Sequence, residues 1–324
     1  MKRINIGLLG LGNIGSGTYK VLEQNRKHIE AVSGLDLRIT RILEIDTKRD
    51  RGFKVKPGVF TQDAETIFGD PGISIVIELL GGVEPATSFM VSAMKAGKSV
   101  VSANKAAIAE NFELLTETAE ENGVQFRFEA SVGGGIPLIG AITEQLCANE
   151  FTEILGILNG TTNYIITKMS EEGRSYKEAL KEAQELGFAE ADPTADVEGH
   201  DVANKLSILM SLVFGERVRP EDIPTRGISN LTKKDIKEAE ALGCVVKLLA
   251  SAFRKPEGGF EYFVQPTWLN KTHPLADVRN EFNALFIKGN AVDDLMLYGK
   301  GAGPFPTASA VLGDVIAISR RLLL

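Results

Sequence analysis

Cysteine is scarce, with two residues in 324, Cys147 and Cys244. Each lies inside apolar sequence, LIGAITEQLCA and LGCVVKLLA. Both therefore read as core residues, and neither a disulfide framework nor a thiolate metal cluster is encoded. A reduced, cytoplasmic setting is expected. Basic charge is also short: 36 Lys and Arg face 43 Asp and Glu, for a net charge of −7. That balance argues against a polyanion-wrapping surface, so nucleic acid is not an expected partner. No uninterrupted apolar run reaches the roughly 18 to 20 residues that a membrane span needs. The opening MKRINIGLLGLG has a charged tip, but glycines interrupt it and no small-residue cleavage site follows. It reads as a strand of a soluble protein and not as a leader peptide. Internal repeats and low-complexity tracts are missing as well.

What is present is ordinary globular usage, 44% hydrophobic and 24% charged, over a length that suits two domains. Residues 1–130 alternate short β-branched runs with amphipathic helical stretches, the pattern of a parallel sheet with crossover helices. Strands are predicted at Ile4–Leu9, Leu37–Leu43, Ile73–Leu79, Ser99–Ser102 and Val124–Glu129. Helices are predicted near Ile14–Ala31, Pro85–Ala96 and Asn111–Asn122, the last closed by Gly123. This is a doubly wound, Rossmann-type α/β unit. At SVGGGIP the character changes to a glycine-rich joint. Beyond it come a helix, the apolar run Phe151–Leu158, a helix opened by NGTTN, the acidic stretch GFAEADPTADVEGHD and an apolar helix at Val202–Phe214. Alternating segments at Cys244–Phe253 and Gly259–Pro266 read as strands of a second sheet. Residues 131–300 thus form a second, α+β domain, and residues 301–324 a glycine-rich loop with a helix that returns to the first.

Three motifs carry chemistry. The first is Gly10-Leu11-Gly12-Asn13-Ile14-Gly15, directly after the strand INIGLL and opening a helix. The first glycine permits the tight turn, the second lets the backbone approach a pyrophosphate and the third lets helix pack on strand. The helix N-terminus adds unsatisfied N–H groups and a favourable dipole. A ligand-free βα turn is the bland alternative, and the strand-then-helix context argues against it. Past the second strand, ILEIDTKRDR offers both Glu44 and Asp46, which suit ribose hydroxyls, and Lys48, Arg49 and Arg51, which suit a 2′-phosphate. The choice between NAD and NADP stays open on these residues, with a lean to NADP being usable beside NAD. The second motif, Ser102-Ala103-Asn104-Lys105, ends a strand at the carboxyl edge of the sheet, where open α/β folds bind ligands. Lys105 there can reach a cofactor or substrate oxygen, although a solvated loop lysine has the same spelling.

The third motif runs from Glu190 through Asp192, Asp196 and Asp201 to Lys205. Asp201 and Lys205 are four apart and share a helical face. A surface ion pair would look the same locally. LSILMSLVF after Lys205 is largely apolar, however, so the helix is mostly buried with the pair at its N-terminal mouth, and a buried lysine needs a partner or a function.

With these motifs in order, the sequence resembles homoserine dehydrogenase. The resemblance rests on GLGNIG, SANKA, EASVGGGIPLI, GILNGTTNYI, GFAEADPTADVEGHDVANKL and YGKGAGPFPTASAV, and it runs through nearly the whole chain. It implies NAD(P)H-dependent reduction of aspartate semialdehyde to homoserine in threonine and methionine synthesis. It also implies Lys205 as the catalytic proton donor assisted by Asp201, and Lys105 as a contact of cofactor and substrate. Glu190, Asp196 and Asp201 become substrate ligands. Gly10, Gly12, Asn13, Ile14 and Gly15 hold the cofactor, with Gly187, Gly301 and Gly303 lining its nicotinamide. The family binds a structural monovalent cation, usually sodium. The matching positions are Glu129, Val132, Gly134 and Ile136, which would offer mainly backbone carbonyls, donors hard enough for such an ion. A homodimer or dimer-based tetramer is implied too. Many members carry a fused kinase or a C-terminal regulatory domain. This chain ends at Leu324, just after its last helix, so neither extension, nor threonine feedback through one, is expected.

Two rival functions share the first domain. A phosphorylating semialdehyde dehydrogenase needs an activated cysteine at the cleft, for which two core thiols are poor candidates. A dinucleotide-sensing module would not need the Asp201 and Lys205 pair.

Overall fold

Residues 2–322 are described by the computed structural model. In β1 (Lys2–Leu9) the side chains of Ile4, Ile6, Leu8 and Leu9 are all buried, as a strand covered on both faces requires. The chain continues through α1 (Asn13–Ser33), β2 (Leu35–Leu43), β3 (Phe60–Thr61), α2 (Glu65–Phe68), β4 (Ile73–Glu78) and α3 (Ala86–Lys95). It then forms β5 (Ser99–Ser102), α4 (Lys105–Glu110), α5 (Phe112–Glu121) and β6 (Phe126–Arg127). The six strands make one parallel sheet in the order β3-β2-β1-β4-β5-β6. That is the Rossmann order, with its topological switch between β1 and β4.

The middle of the chain builds a second sheet. After a π-helical turn, Ala141–Gln145, come β7 (Phe151–Ile157), α6 (Gly160–Glu171), α7 (Tyr176–Glu185), α8 (Thr194–Val197) and α9 (His200–Leu209). There follow α10 (Lys233–Ala241), β8 (Cys244–Arg254), β9 (Phe260–Asn270), β10 (Phe282–Gly289) and β11 (Asp293–Lys300). These strands are antiparallel in the order β11-β10-β7-β8-β9. Leu155, Ile157, Leu249, Ala284 and Phe286 pack together as part of the core of this unit.

The last helix, α11 (Pro304–Arg321), lies along α1. The two backbones approach so closely that a Cβ on Gly17 would sit 2.6 Å from the Pro304 carbonyl oxygen, and this explains a glycine inside α1. Val311, Val315 and Ile318 join Ile6, Leu8, Ile75 and Leu22 in one core. By its contacts the chain divides into two units. One extends as far as Gly135 and resumes at Gly303, and the other is Ile136–Ala302.

The structure departs from the sequence reading in detail. The helix expected after SVGGGIP is short, starting at Ile139 and turning π-helical at Ala141–Gln145. The helix read as Val202–Phe214 begins at His200 and turns π-helical from Met210 to Phe214. β9 extends past Pro266 to Asn270, whereas the strand read as Val124–Glu129 pairs only at Phe126 and Arg127, because the chain turns into a 3-10 helix at Glu129–Ser131. The cysteines are not core residues: both are free thiols, Cys147 exposed and Cys244 half-buried. Cys147 falls just past the π-helical turn, where the chain runs at the surface. Among the described residues no helix is long and apolar enough to cross a membrane.

Candidate active site

The loop between β1 and α1 has the geometry that its glycines require. Gly10 adopts φ +92°, and a Cβ there would press against the Leu79 carbonyl at 2.9 Å; one on Gly15 would meet the Gly10 oxygen at 2.2 Å. A Cβ on Gly12 would meet nothing within 4 Å, so this stretch of backbone is open to a phosphate. Asn13 and Ile14 open α1, whose 21 residues start without a side-chain cap. The first N–H groups are therefore left to an external acceptor. The loop fits a dinucleotide.

Just past β2, Glu44 is already engaged. Its carboxylate accepts the N–H groups of Leu11 at 3.0 Å and Asp46 at 3.1 Å and pairs with Arg51 at 3.1 Å. Arg51 also donates to the Leu11 carbonyl, and its side chain is only 6% exposed. The basic run is thus split, with Arg51 bracing the glycine loop from behind while Lys48 and Arg49 stay exposed. In the same unit Lys105 is half-buried and opens α4, which is capped by the Asn104 side chain accepting from the Ala107 N–H at 3.2 Å.

In the other unit the later part of the third motif, Asp196, Asp201 and Lys205, folds into one network, while Glu190 and Asp192 stay exposed outside it. Lys205, one turn after Asp201 on α9, donates to the Asp201 carboxylate at 2.8 Å and to the Leu158 carbonyl at 2.6 Å. Both residues are buried. The amide of Asn159 donates to Asp201 at 2.9 Å and to Asp196 at 2.7 Å, and Thr161 donates to Asp196 at 3.2 Å. Burial, reinforced by the neighbouring Asp201 carboxylate, pushes the Asp196 carboxyl above its ordinary range. Glu190 is exposed, and its main-chain carbonyl accepts from Gln184. Gly187, with φ +77°, follows α7. A Cβ on Gly301 would collide with the Asn283 amide, and Gly303 caps α11 at φ +113°.

Glu129, Val132 and Gly134 lie in the turn after β6, with Gly134 at φ +58°. Its main chain is pinned by the Glu129 N–H donating to Asp314 at 2.8 Å, and Ile136 begins the second unit. Among the described residues no three His, Cys, Asp or Glu side chains converge as a metal-ligand group.

Two family models match the chain. The homoserine dehydrogenase model covers residues 137–316, and the homoserine dehydrogenase NAD-binding domain covers residues 10–129. The chain belongs to the homoserine dehydrogenase family. The homoserine dehydrogenase of Bacillus subtilis is 43% identical over the whole chain, which spans 75% of that relative. The crystal structure of a homoserine dehydrogenase from Thiobacillus denitrificans superposes with a TM-score of 0.95 at 42% identity, covering all of this chain and 74% of that one. A hyperthermophilic archaeal homoserine dehydrogenase solved in complex with NADPH has a TM-score of 0.83 at 26% identity, with 99% and 98% of the two chains covered. The chain is accordingly an NAD(P)-dependent oxidoreductase of amino-acid biosynthesis.

For a homoserine dehydrogenase site, the sequence reading missed Asn159. NGTTN marks it as a helix cap, and its Oδ1 does accept the Thr162 N–H at 2.9 Å. An asparagine cap, unlike an aspartate or serine one, still has two amide hydrogens to give. That surplus was legible, but its acceptors, 37 and 42 residues further along, were not. Neither cysteine takes part in the Lys205 network.

Proposed function

We propose that Lys205 is the proton donor as this enzyme reduces L-aspartate 4-semialdehyde reversibly to L-homoserine. The observation that carries the reading is the buried ion pair of Lys205 and Asp201, itself held by Asn159. A nicotinamide cofactor supplies the hydride to the aldehyde carbon. As negative charge grows on the aldehyde oxygen, the Lys205 ammonium stabilises it and gives up a proton, and the alcohol results. Asp201 orients that ammonium. Glu190 receives the substrate α-ammonium, with Asp196 and Asp201 completing the substrate site. Lys105 contacts the cofactor, and Gly187, Gly301 and Gly303 lie along its nicotinamide.

Several further roles belong to the same reading. The first domain, residues 1–130, binds the dinucleotide and residues 131–300 serve substrate binding and dimerisation, with the helix of residues 301–324 returning to the first. Exposed Lys48 and Arg49 make NADP usable beside NAD, since Glu44 is occupied by Arg51. The turn carrying Glu129, Val132, Gly134 and Ile136 holds a sodium ion through main-chain oxygens. The enzyme works in the cytoplasm as a homodimer or a dimer-based tetramer.

Steady-state oxidation of NADPH with aspartate semialdehyde tests the reaction, and Glu190→Gln tests the substrate site. A charge-assisted hydrogen bond is worth about 1.5 to 3 kcal/mol, so the Michaelis constant for homoserine should rise at least ten-fold while NADPH affinity holds. Equal titration of variant and wild type would remove Glu190 from the substrate site.

A further inference from the structure

Glu78 closes β4 at the carboxyl edge of the Rossmann sheet and is fully buried. No motif discussed above contains it. Glutamates are almost never fully buried unless their oxygens are satisfied, and the partners of this one define what it does. One carboxylate oxygen accepts the Leu80 N–H at 2.7 Å, and the other accepts the Ser102 hydroxyl at 2.6 Å. Because Ser102 spends its proton on Glu78, its oxygen is oriented to accept the Asn104 N–H at 3.0 Å. Asn104 then donates its amide to the Gly82 carbonyl at 2.6 Å and caps α4, whose first residue is Lys105.

One carboxylate therefore ties together two turns that leave adjacent strands, residues 79–82 after β4 and residues 102–105 after β5. The first of these also backs the glycine loop, since Gly10 runs so near the Leu79 carbonyl that an added Cβ would come within 2.9 Å of its oxygen. A hydroxyl-to-carboxylate contact of 2.6 Å has the length of a charge-assisted bond. Burial pushes the Glu78 carboxyl above its ordinary range, and the donors around it oppose that shift. A leucine would fill the same space without setting either turn.

We propose that Glu78 is a positioning residue of the cofactor site, fixing Asn104 and so the start of α4 from which Lys105 serves the cofactor. The proposal rests on the reading of Lys105 as a cofactor contact. Ser102 relays the positioning, beside a direct attraction between the Asn104 amide and the Glu78 carboxylate, and the effect acts on cofactor binding more than on the proton-transfer machinery around Lys205.

The test compares Glu78→Gln, Ser102→Ala, their double variant and Lys105→Ala, each shown by circular dichroism to be folded at the assay temperature. NADPH affinity is read by fluorescence titration, and homoserine kinetics are run at saturating cofactor. Glu78→Gln should weaken NADPH roughly ten-fold or more, with the Michaelis constant for homoserine within about two-fold of wild type. The double variant should be no worse than the Glu78 single variant, because both changes cut one chain of bonds. A residue that merely stabilised the fold would lower the melting temperature without this split between cofactor and substrate. If Lys105→Ala weakens NADPH and Glu78→Gln does not, the proposal is overturned while the reading of Lys105 stands. If Lys105→Ala leaves NADPH affinity unchanged, the reading of Lys105 fails and the proposal fails with it. Strictly additive losses would remove the relay through Ser102 and overturn the proposal in this form.

Discussion

Lys205 and Lys247 are lysines of the same unit, 7% and 4% exposed, and each is served by an asparagine of the Asn159-to-Asn163 turn that begins α6. Their surroundings differ in one respect. Lys205 meets the carboxylate of Asp201, and the amide of Asn159 steadies that carboxylate. Lys247 meets only neutral oxygens, the side chain of Asn163 and the carbonyl of Val278. Among the described residues no carboxylate pairs with it. Asn163 gives its amide hydrogens to the carbonyls of Val278, Asn280 and Phe282, so its work is to brace main chain. A buried ammonium beside a carboxylate keeps its charge for chemistry, whereas one among carbonyls is a stability cost. Burial alone does not make a catalytic lysine.

The sharpest way to break this contrast is to remove Lys205. In Lys205→Ala, turnover should fall by roughly two to four orders of magnitude, the usual size of a general-acid contribution, with NADPH affinity near wild type. Lys247→Met, assayed in parallel, should stay within about two-fold of wild-type turnover. Equal losses in the two variants would show that both lysines matter only for packing.

The sequence made one side of this contrast legible. Asp201 and Lys205 are one helical turn apart, and the apolar run after them announces burial. The glycine loop was equally plain, because Gly10 and Gly15 answer local steric demands and Gly12 leaves the backbone between them open. Partners distant in sequence were not visible. Asn159 reaches Asp201 across 42 residues, and Arg51 lies in a charged run that looks solvated until Glu44 and the Leu11 carbonyl are placed against it. Lys247 sits in CVVKLLASAF, which read correctly as a strand, but alternation cannot tell whether a buried ammonium finds a carboxylate. The hairpin of β10 and β11 escaped notice because FNALFIKG is nearly continuous apolar sequence, without the alternation that marks a half-buried strand.

The next effect concerns stability and its dependence on pH. Burial lowers the Lys247 ammonium to about 8, with Glu171 and Asp277 pulling it up and Arg279 pushing it down. The folded value lies below that of an unfolded lysine, so between pH 8 and about 10.5 the unfolded chain binds more protons and stability must rise with pH. Below pH 8 the full cost of the buried charge is present. Lys247→Met removes this titration. Wild type should therefore gain about 3 kcal/mol relative to the variant as the pH is raised from 8 to 10.5, read from denaturant midpoints. A difference that stays flat across that window would mean that Lys247 is solvated in the folded protein. The residue lines a cavity of about 360 Å³ with Ile166, Ile236 and Val246, and solvent entering there is what such a result would report.

A smaller and more pointed effect comes from making one lysine resemble the other. Asp201→Asn keeps the shape beside Lys205 and removes the charge of the carboxylate it donates to, which brings its surroundings closer to those of Lys247. The ammonium loses a charge-assisted bond, worth about 1.5 to 3 kcal/mol, while the new amide oxygen can still accept from both Lys205 and Asn159, which donate to one and the same carboxylate oxygen. Turnover should fall roughly ten-fold to a hundred-fold, less than for Lys205→Ala because the proton donor remains. The pH profile separates an electrostatic role from a steric one. Without the carboxylate the charged form of Lys205 is less favoured, so the alkaline limb of the reductive reaction should move to lower pH, and the profile of Lys247→Met should not move. An unshifted limb with reduced turnover would assign Asp201 to orienting Lys205 alone, and the difference between the two lysines would then be one of geometry and not of charge.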